Sequence, residues 1–241
     1  MKDKLRYIFR NVNSSIVIVL VILIASRIVN SGQSVGEWIM TELMLLPGII
    51  IGLTFHEAAH GYVSYWLGDP TPKIQGRLTL NTLKHIDPVG FVALLIAGFG
   101  WGNPVQINPM YYKNRRRDEI LVNLAGVTMN LIIAIIAALM IRFSLDHMSV
   151  EFYYNGIGGI IVEILLYVFM INIVLMVFNL LPVPPLDGFG LVTQIFNLRK
   201  YDWYWTIKDK GFIILMLLII CNVTDIIINP VYNFFFNLLI V

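Results

Sequence analysis

The chain has 241 residues, 58% hydrophobic and only 13% charged, with a net charge of +2 at pH 7 and a mean hydropathy of +0.76. Soluble domains carry about a quarter charged residues, so the composition excludes a soluble enzyme and a disordered tail, and so small a net charge excludes nucleic-acid binding through phosphates. The one cysteine, Cys221, lies in an apolar run and excludes a disulfide framework or a cysteine zinc cluster.

A bilayer core of about 30 Å takes about 20 apolar residues as helix. Residues 15–29 are the first candidate span, with Arg27 near its end able to snorkel. The basic start followed by an apolar stretch also fits a signal peptide, but Arg27 sits where a small-residue cleavage site would be, so an uncleaved span is favoured. The second span is 48–67, with Pro47 before it and Gly68 after it as start and stop signals. Residues 72–80 and 104–107 read as extended strands. The run 89–100, about a dozen residues, is too short to cross and reads as a re-entrant or interfacial segment. Spans three to five follow at about 120–143, 157–181 and 212–228, and 231–241 is a short, partial sixth.

Basic residues set the expected orientation. They cluster at Lys2, Lys4, Arg6 and Arg10, at Lys73, Arg77 and Lys84, and at Lys113 and Arg115 to Arg117. The positive-inside rule places all three stretches in the cytoplasm. Both flanks of 89–100 then lie on one side, so the segment dips in and returns. The expectation is a multi-pass protein of the cell membrane with a cytoplasmic N-terminus, one domain over residues 1–241.

The chemistry-bearing motif is His56-Glu57-Ala58-Ala59-His60. A helix brings i and i+4 onto one face, so both imidazoles can hold one metal ion. On a solvated helix such a spacing is weak evidence. Here the first histidine lies about 12 Å along a span of about 30 Å. Three ionisable groups at that depth cost several kcal/mol unless paired, metallated or wetted, so they mark a function. Glu57 beside the metal is placed to take a proton from water.

Catalytic zinc takes three protein ligands and water. Glu163, Asp187 and Asp225 are the candidates for the third. Asp187 is favoured: Asn179-Leu180-Leu181-Pro182-Val183-Pro184-Pro185-Leu186-Asp187-Gly188 holds three prolines, which leave unwound backbone at the end of a span. Such backbone is tolerated at membrane depth only where it lines a cavity or packs against protein.

These residues make the chain resemble the site-2 protease family of intramembrane zinc metalloproteases. Residues 55–90 resemble the family's first motif and the segment after it. GWGNPVQINP (100–109) resembles its loop, NLAGVTMNL (123–131) its LAGPxxN motif and NLLPVPPLDG (179–188) its second metal motif. The resemblance implies one Zn2+ per chain held by His56, His60 and Asp187, with Glu57 as general base. It implies that Asn130 lies near the active site and holds substrate or the developing oxyanion, a sensible use of an amide donor. An interhelical hydrogen bond is the competing use of Asn130.

The spans make an α-helical polytopic membrane protein of about five to six transmembrane helices, and the resemblance implies a small membrane-associated β-sheet, which either captures unwound substrate at its edge or only packs over the site. Val127 replaces the motif's proline, Phe189-Gly190-Leu191 follows the aspartate-glycine pair, and Asn103 stands where lysine or arginine is frequent. His85 and Asp87 resemble a family HxDP stretch and read as loop-shaping residues. The chain reads as a catalytic core without PDZ or CBS domains, so regulation falls to a membrane partner or to substrate exposure. The expected partners are the lipid bilayer and the transmembrane segment of a membrane-protein substrate. Two rivals stand: a prenyl-processing-type membrane metalloprotease with a glutamate as third ligand, and a non-catalytic zinc-binding membrane protein.

Overall fold

The computed structural model describes residues 25–26, 28–29, 31–97, 100–154 and 156–241. Most of the predicted first span, 15–29, lies outside them. The described residues form two compact units, one of residues up to 43 together with 86–102, the other of 44–85 and 103–241.

In the first unit Ser34 and Glu37 form a reciprocal cap. The Glu37 N–H donates to Ser34 Oγ at 3.3 Å, and the Ser34 N–H donates to Glu37 Oε2 at 2.8 Å. This satisfies otherwise orphaned donors and starts helix α1, Val35–Trp66. The helix therefore begins well before Pro47, which lies inside it and marks no start. A strong upstream cap outweighs the one hydrogen bond that proline removes. The unit also holds α4, Pro88–Ala97, whose first turn is closed by the Gly90 N–H on Asp87 Oδ1 at 2.7 Å. Ile86 and Gly102 pair as an antiparallel bridge. The ends of the predicted dipping segment therefore meet.

The second unit holds the rest of α1, the short helices α2 (Thr71–Ile74) and α3 (Thr82–His85), and then α5 (Arg115–His147), α6 (Val150–Tyr154) and α7 (Ile157–Leu180). After them come α8 (Asp187–Phe196), α9 (Asp202–Ile220) and α10 (Val223–Leu239). Its core is α5 against α7. Ala134, Ala137 and Ala138 of α5 face Phe169, Ile173 and Val177 of α7. Small residues allow the close approach on which helix association in lipid depends. Tyr232 and Phe236 of α10 pack against Phe169 with tilted rings, their centroids 5.9 and 6.3 Å away. On α1, a Cβ at Gly48 would sit 3.0 Å from the Tyr167 carbonyl oxygen of α7.

Two expectations change. Among the described residues no strand forms, and the predicted strands are otherwise arranged. Pro72 occupies the first turn of α2, where its fixed φ is pre-organised for helix, and Gly76 has a φ of +64°. Pro104 has no N–H to give a ladder. Side chains tie the two stretches together instead: Arg77 Nη2 donates to the carbonyls of Asn103 and Pro104 at 2.9 and 2.8 Å, and Gln75 Nε2 donates to Gln106 Oε1 at 2.9 Å.

The span count is supported in part. Among the described residues α1, α5 and α7 are long and apolar enough to cross a membrane, and α9 with α10 makes a fourth if counted as one span bent by 68°. The predicted fifth span ran unbroken through 221–222. There the chain breaks, with Asn222 left-handed at φ 55°, a conformation asparagine tolerates better than most residues. Asp225 in the next turn favours a helix start, and Pro230, near the predicted boundary, lies inside α10.

Candidate metal centre

His56 and His60 lie one turn apart on α1, both buried. Asp187 is the first residue of α8, after a proline-rich stretch that cannot continue α7. The three residues offer ligand atoms within 4.8 Å of one another. His60 Nε2 lies 3.1 Å from His56 Nε2, and Asp187 Oδ2 lies 3.1 Å and 3.2 Å from those two nitrogens. Tetrahedral zinc with ligands at about 2.0–2.2 Å spaces its ligand atoms at about 3.3 Å. Glu163 and Asp225, the other candidates, are exposed and outside this group.

The hydrogen bonds behind the rings fix their tautomers. His60 Nδ1 faces the Val122 carbonyl at 2.7 Å, which can only accept. His56 Nδ1 faces Asn130 Oδ1 at 2.6 Å. The Asn130 amide nitrogen is spent on Asn172 Oδ1 at 2.9 Å and on the Gly52 carbonyl at 3.3 Å. Both Nδ1 atoms therefore carry the proton, and a neutral ring then presents Nε2 as a bare lone pair. Asp187 Oδ2, buried and without a hydrogen-bond donor, meets those two lone pairs. Three acceptors converging with no donor between them fit a cation, and two imidazoles with a carboxylate are a zinc donor set.

Space for the rings comes from α5. A Cβ at Gly126 would lie 2.5 Å from His56 Cε1 and from His60 Nε2. Glu57, half-buried, sits on the flank of the ligand face. Its Oε2 accepts the Val105 N–H at 2.8 Å, so the loop after Pro104 holds it. Asn130 is fully buried with both ends of its amide engaged in the protein. Its Oδ1 faces the His56 ring and its Nδ2 faces Asn172 and Gly52. His85 is fully buried, its Nε2 at 2.7 Å from the Thr79 carbonyl, outside the metal group. Asp87 caps α4.

Sequence reading missed Asn172, Gly126 and the backbone groups of Val122 and Val105. Asn172 had a legible signal, as a lone amide inside an apolar run. Which carbonyl or N–H meets a ring or a carboxylate is set by how helices pack, and no side-chain pattern records it.

The model of peptidase family M50 matches residues 44–220. Among curated proteins, "Putative zinc metalloprotease YwhC" of Bacillus subtilis (strain 168) is 35% identical over 199 residues, which cover 79% of this chain and 88% of the relative. "Putative zinc metalloprotease Rip2" of Mycolicibacterium smegmatis is 29% identical over 184 residues, 74% of this chain and 67% of the relative. The protein of that name from Mycobacterium tuberculosis (strain H37Rv) is 27% identical over 184 residues, covering 74% and 66%. No solved structure matches the chain.

Proposed function

Because the chain belongs to peptidase family M50, the site-2 protease family, and is a zinc metalloprotease of multi-pass membrane type, we propose that it hydrolyses a peptide bond in or near a transmembrane segment of a membrane protein. The observation that carries this reading is the convergence of Asp187, from α8, on His56 and His60, which lie on a helix long and apolar enough to cross a membrane. His56, His60 and Asp187 are the proposed ligands. Bound there, zinc supplies Lewis acidity and brings the pKa of an attacking water down to about 7.

The chain's own groups do the rest. Glu57 takes the proton of the attacking water on Oε1 and returns it to the leaving amine. The Val105 N–H on Oε2 keeps the carboxylate from swinging away. Val122 and Asn130 hold the rings in the tautomer that offers Nε2. Asn130, then, orients a ligand and leaves the oxyanion to other groups. The cell membrane, with the N-terminus in the cytoplasm, is the proposed location. A membrane-protein substrate and a regulatory membrane partner complete the proposal.

Glu57→Gln tests it. The isosteric amide keeps the fold and the ligands but cannot accept the proton. Zinc content should stay at one per chain while a precursor accumulates in the membrane proteome of cells carrying the variant. Unchanged membrane proteomes would sink the protease reading. A prenyl-processing-type site, whose third ligand is a glutamate, would instead keep its zinc in Asp187→Ala.

A further inference from the structure

We infer that Glu119 is a positioning residue for Asp187, acting through the far end of the helix that carries it; the inference rests on the reading of Asp187 as a ligand. Asp187 opens α8 after an irregular stretch, so its reach toward the imidazoles depends on where α8 lies. The last carbonyls of a helix have no partners within it. Here Arg116 of α5 supplies them: its Nε donates to the Gln194 carbonyl at 2.9 Å and its Nη2 to the Ile195 carbonyl at 2.6 Å. The Gln194 side chain donates to Glu119 Oε2. Arg199, just beyond α8, donates to the same oxygen at 2.7 Å. Glu119 is 5% exposed, and these partners and Arg115 compensate its charge.

Nearer the metal centre α8 rests on the same helix. A Cβ at Gly190 would lie 2.5 Å from Asn123 Oδ1, and Asn123 Nδ2 is held by the Glu119 carbonyl at 2.8 Å. Helix α5 also receives both ring N–H groups, at Val122 and Asn130. The N-terminal half of one helix thus sets the imidazoles through Val122 and Asn130 and, through Glu119, the carboxylate arm. Groups that orient metal ligands change affinity by about 10- to 100-fold when removed. Arg115 is the internal control. It also pairs with Glu119, at 2.8 Å, but within α5, so it ties no helix to another.

The test uses the full chain in lipid nanodiscs, with zinc affinity read by competition against a chelator of known strength and ligand geometry read from the visible spectrum of the cobalt-loaded protein. Glu119→Gln and Arg199→Met should each bind zinc about 10- to 100-fold more weakly, with a shifted cobalt spectrum. The double variant should bind no more weakly than either single one, because the two residues form one tie. Arg115→Met should bind as the parent does. If Glu119→Gln does not fold, Arg199→Met carries the test alone. Parent-like zinc affinity in both variants, even with lowered stability, overturns the inference, as does an equal loss in Arg115→Met. A parent chain that holds no zinc would overturn the ligand reading itself, which is a separate outcome.

Discussion

Two buried polar clusters lie a turn apart along α1, and they are built on opposite principles. At the C-terminal end Asp69, fully buried, is surrounded by donors. Ser64 Oγ donates to its Oδ2 at 2.8 Å and the Asn108 N–H at 2.7 Å, while the Thr71 N–H donates to Oδ1 at 2.9 Å. The Ser64 proton is thereby spent, so the Tyr112 hydroxyl, 2.7 Å away, is the donor to Ser64 Oγ. At the metal centre Asp187 meets lone pairs instead. One carboxylate is complete within the protein; the other is complete only around a cation. Burial alone therefore does not separate a structural acid from a functional one. The sign of what faces it does.

The contrast breaks most sharply on removal of each carboxylate. Asp187→Ala should lose zinc and cleavage to background while the chain stays folded, since the two imidazoles are then relieved of a facing acceptor. Metal analysis and a cleavage assay on the purified membrane protein check this. Asp69→Ala should do the reverse: it leaves three donors around a cavity but no change at the ligands, so zinc stays and stability falls. Zinc retained in Asp187→Ala, with activity, would point to a third ligand elsewhere.

Gly126→Ala sharpens the comparison, because it adds one carbon to the metal cluster and touches nothing near Asp69. The new Cβ would meet both rings at 2.5 Å, closer than any real contact, so the rings must turn. Overpacking of this kind costs about 1–3 kcal/mol. A zinc affinity lower by about 5- to 150-fold follows by conversion at 1.4 kcal/mol per decade. Chelator competition measures it, and an unchanged affinity would mean that the rings adjust without leaving ligand geometry.

The residues of the proposed site stood out in the sequence because their chemistry contradicts their surroundings: His56, Glu57, His60 and Asp187 are ionisable groups in or beside apolar runs. Long spans were legible for the complementary reason, length and hydropathy. Boundaries were not. The start of α1 depends on a cap between Ser34 and Glu37 that outweighs Pro47, and the break at Asn222 depends on one left-handed residue. The Asp69 cluster was invisible as well. Its partners Ser64, Thr71, Asn108 and Tyr112 are ordinary polar residues scattered over nearly fifty positions, brought together only when the loop folds back on α1.

Milder substitution separates charge from shape at that second cluster. Asp69→Asn keeps the volume but turns one acceptor into a donor, which then faces another donor. Leaving buried groups mismatched costs about 1–3 kcal/mol, read as a lowered melting temperature with zinc affinity kept. Because Asp69 fastens Asn108, and Val105 of the same loop holds Glu57, cleavage should fall with it by less than in Glu57→Gln.

The smallest effect is one of pH. Burial works to raise the Asp69 pKa, but the hydrogen bonds from Thr71, from the Asn108 N–H and from Ser64 outweigh it and hold the carboxyl below its ordinary value. A depressed folded-state pKa means that the unfolded chain binds the proton more readily. The stabilisation is therefore fully present above the unfolded value of about 3.9 and is lost as pH falls through the folded value. Metal release on acidification would mask so small a term, because ligand protonation also favours the unloaded chain. In the Asp187→Ala background that contribution is gone. There, thermal stability should decline below about pH 4 in the chain that keeps Asp69 and decline less when Asp69→Asn is added. Equal slopes in the two would mean that the hydrogen bonds around Asp69 do not survive as donors to a charged carboxylate, and the distinction between the two clusters would rest on geometry alone.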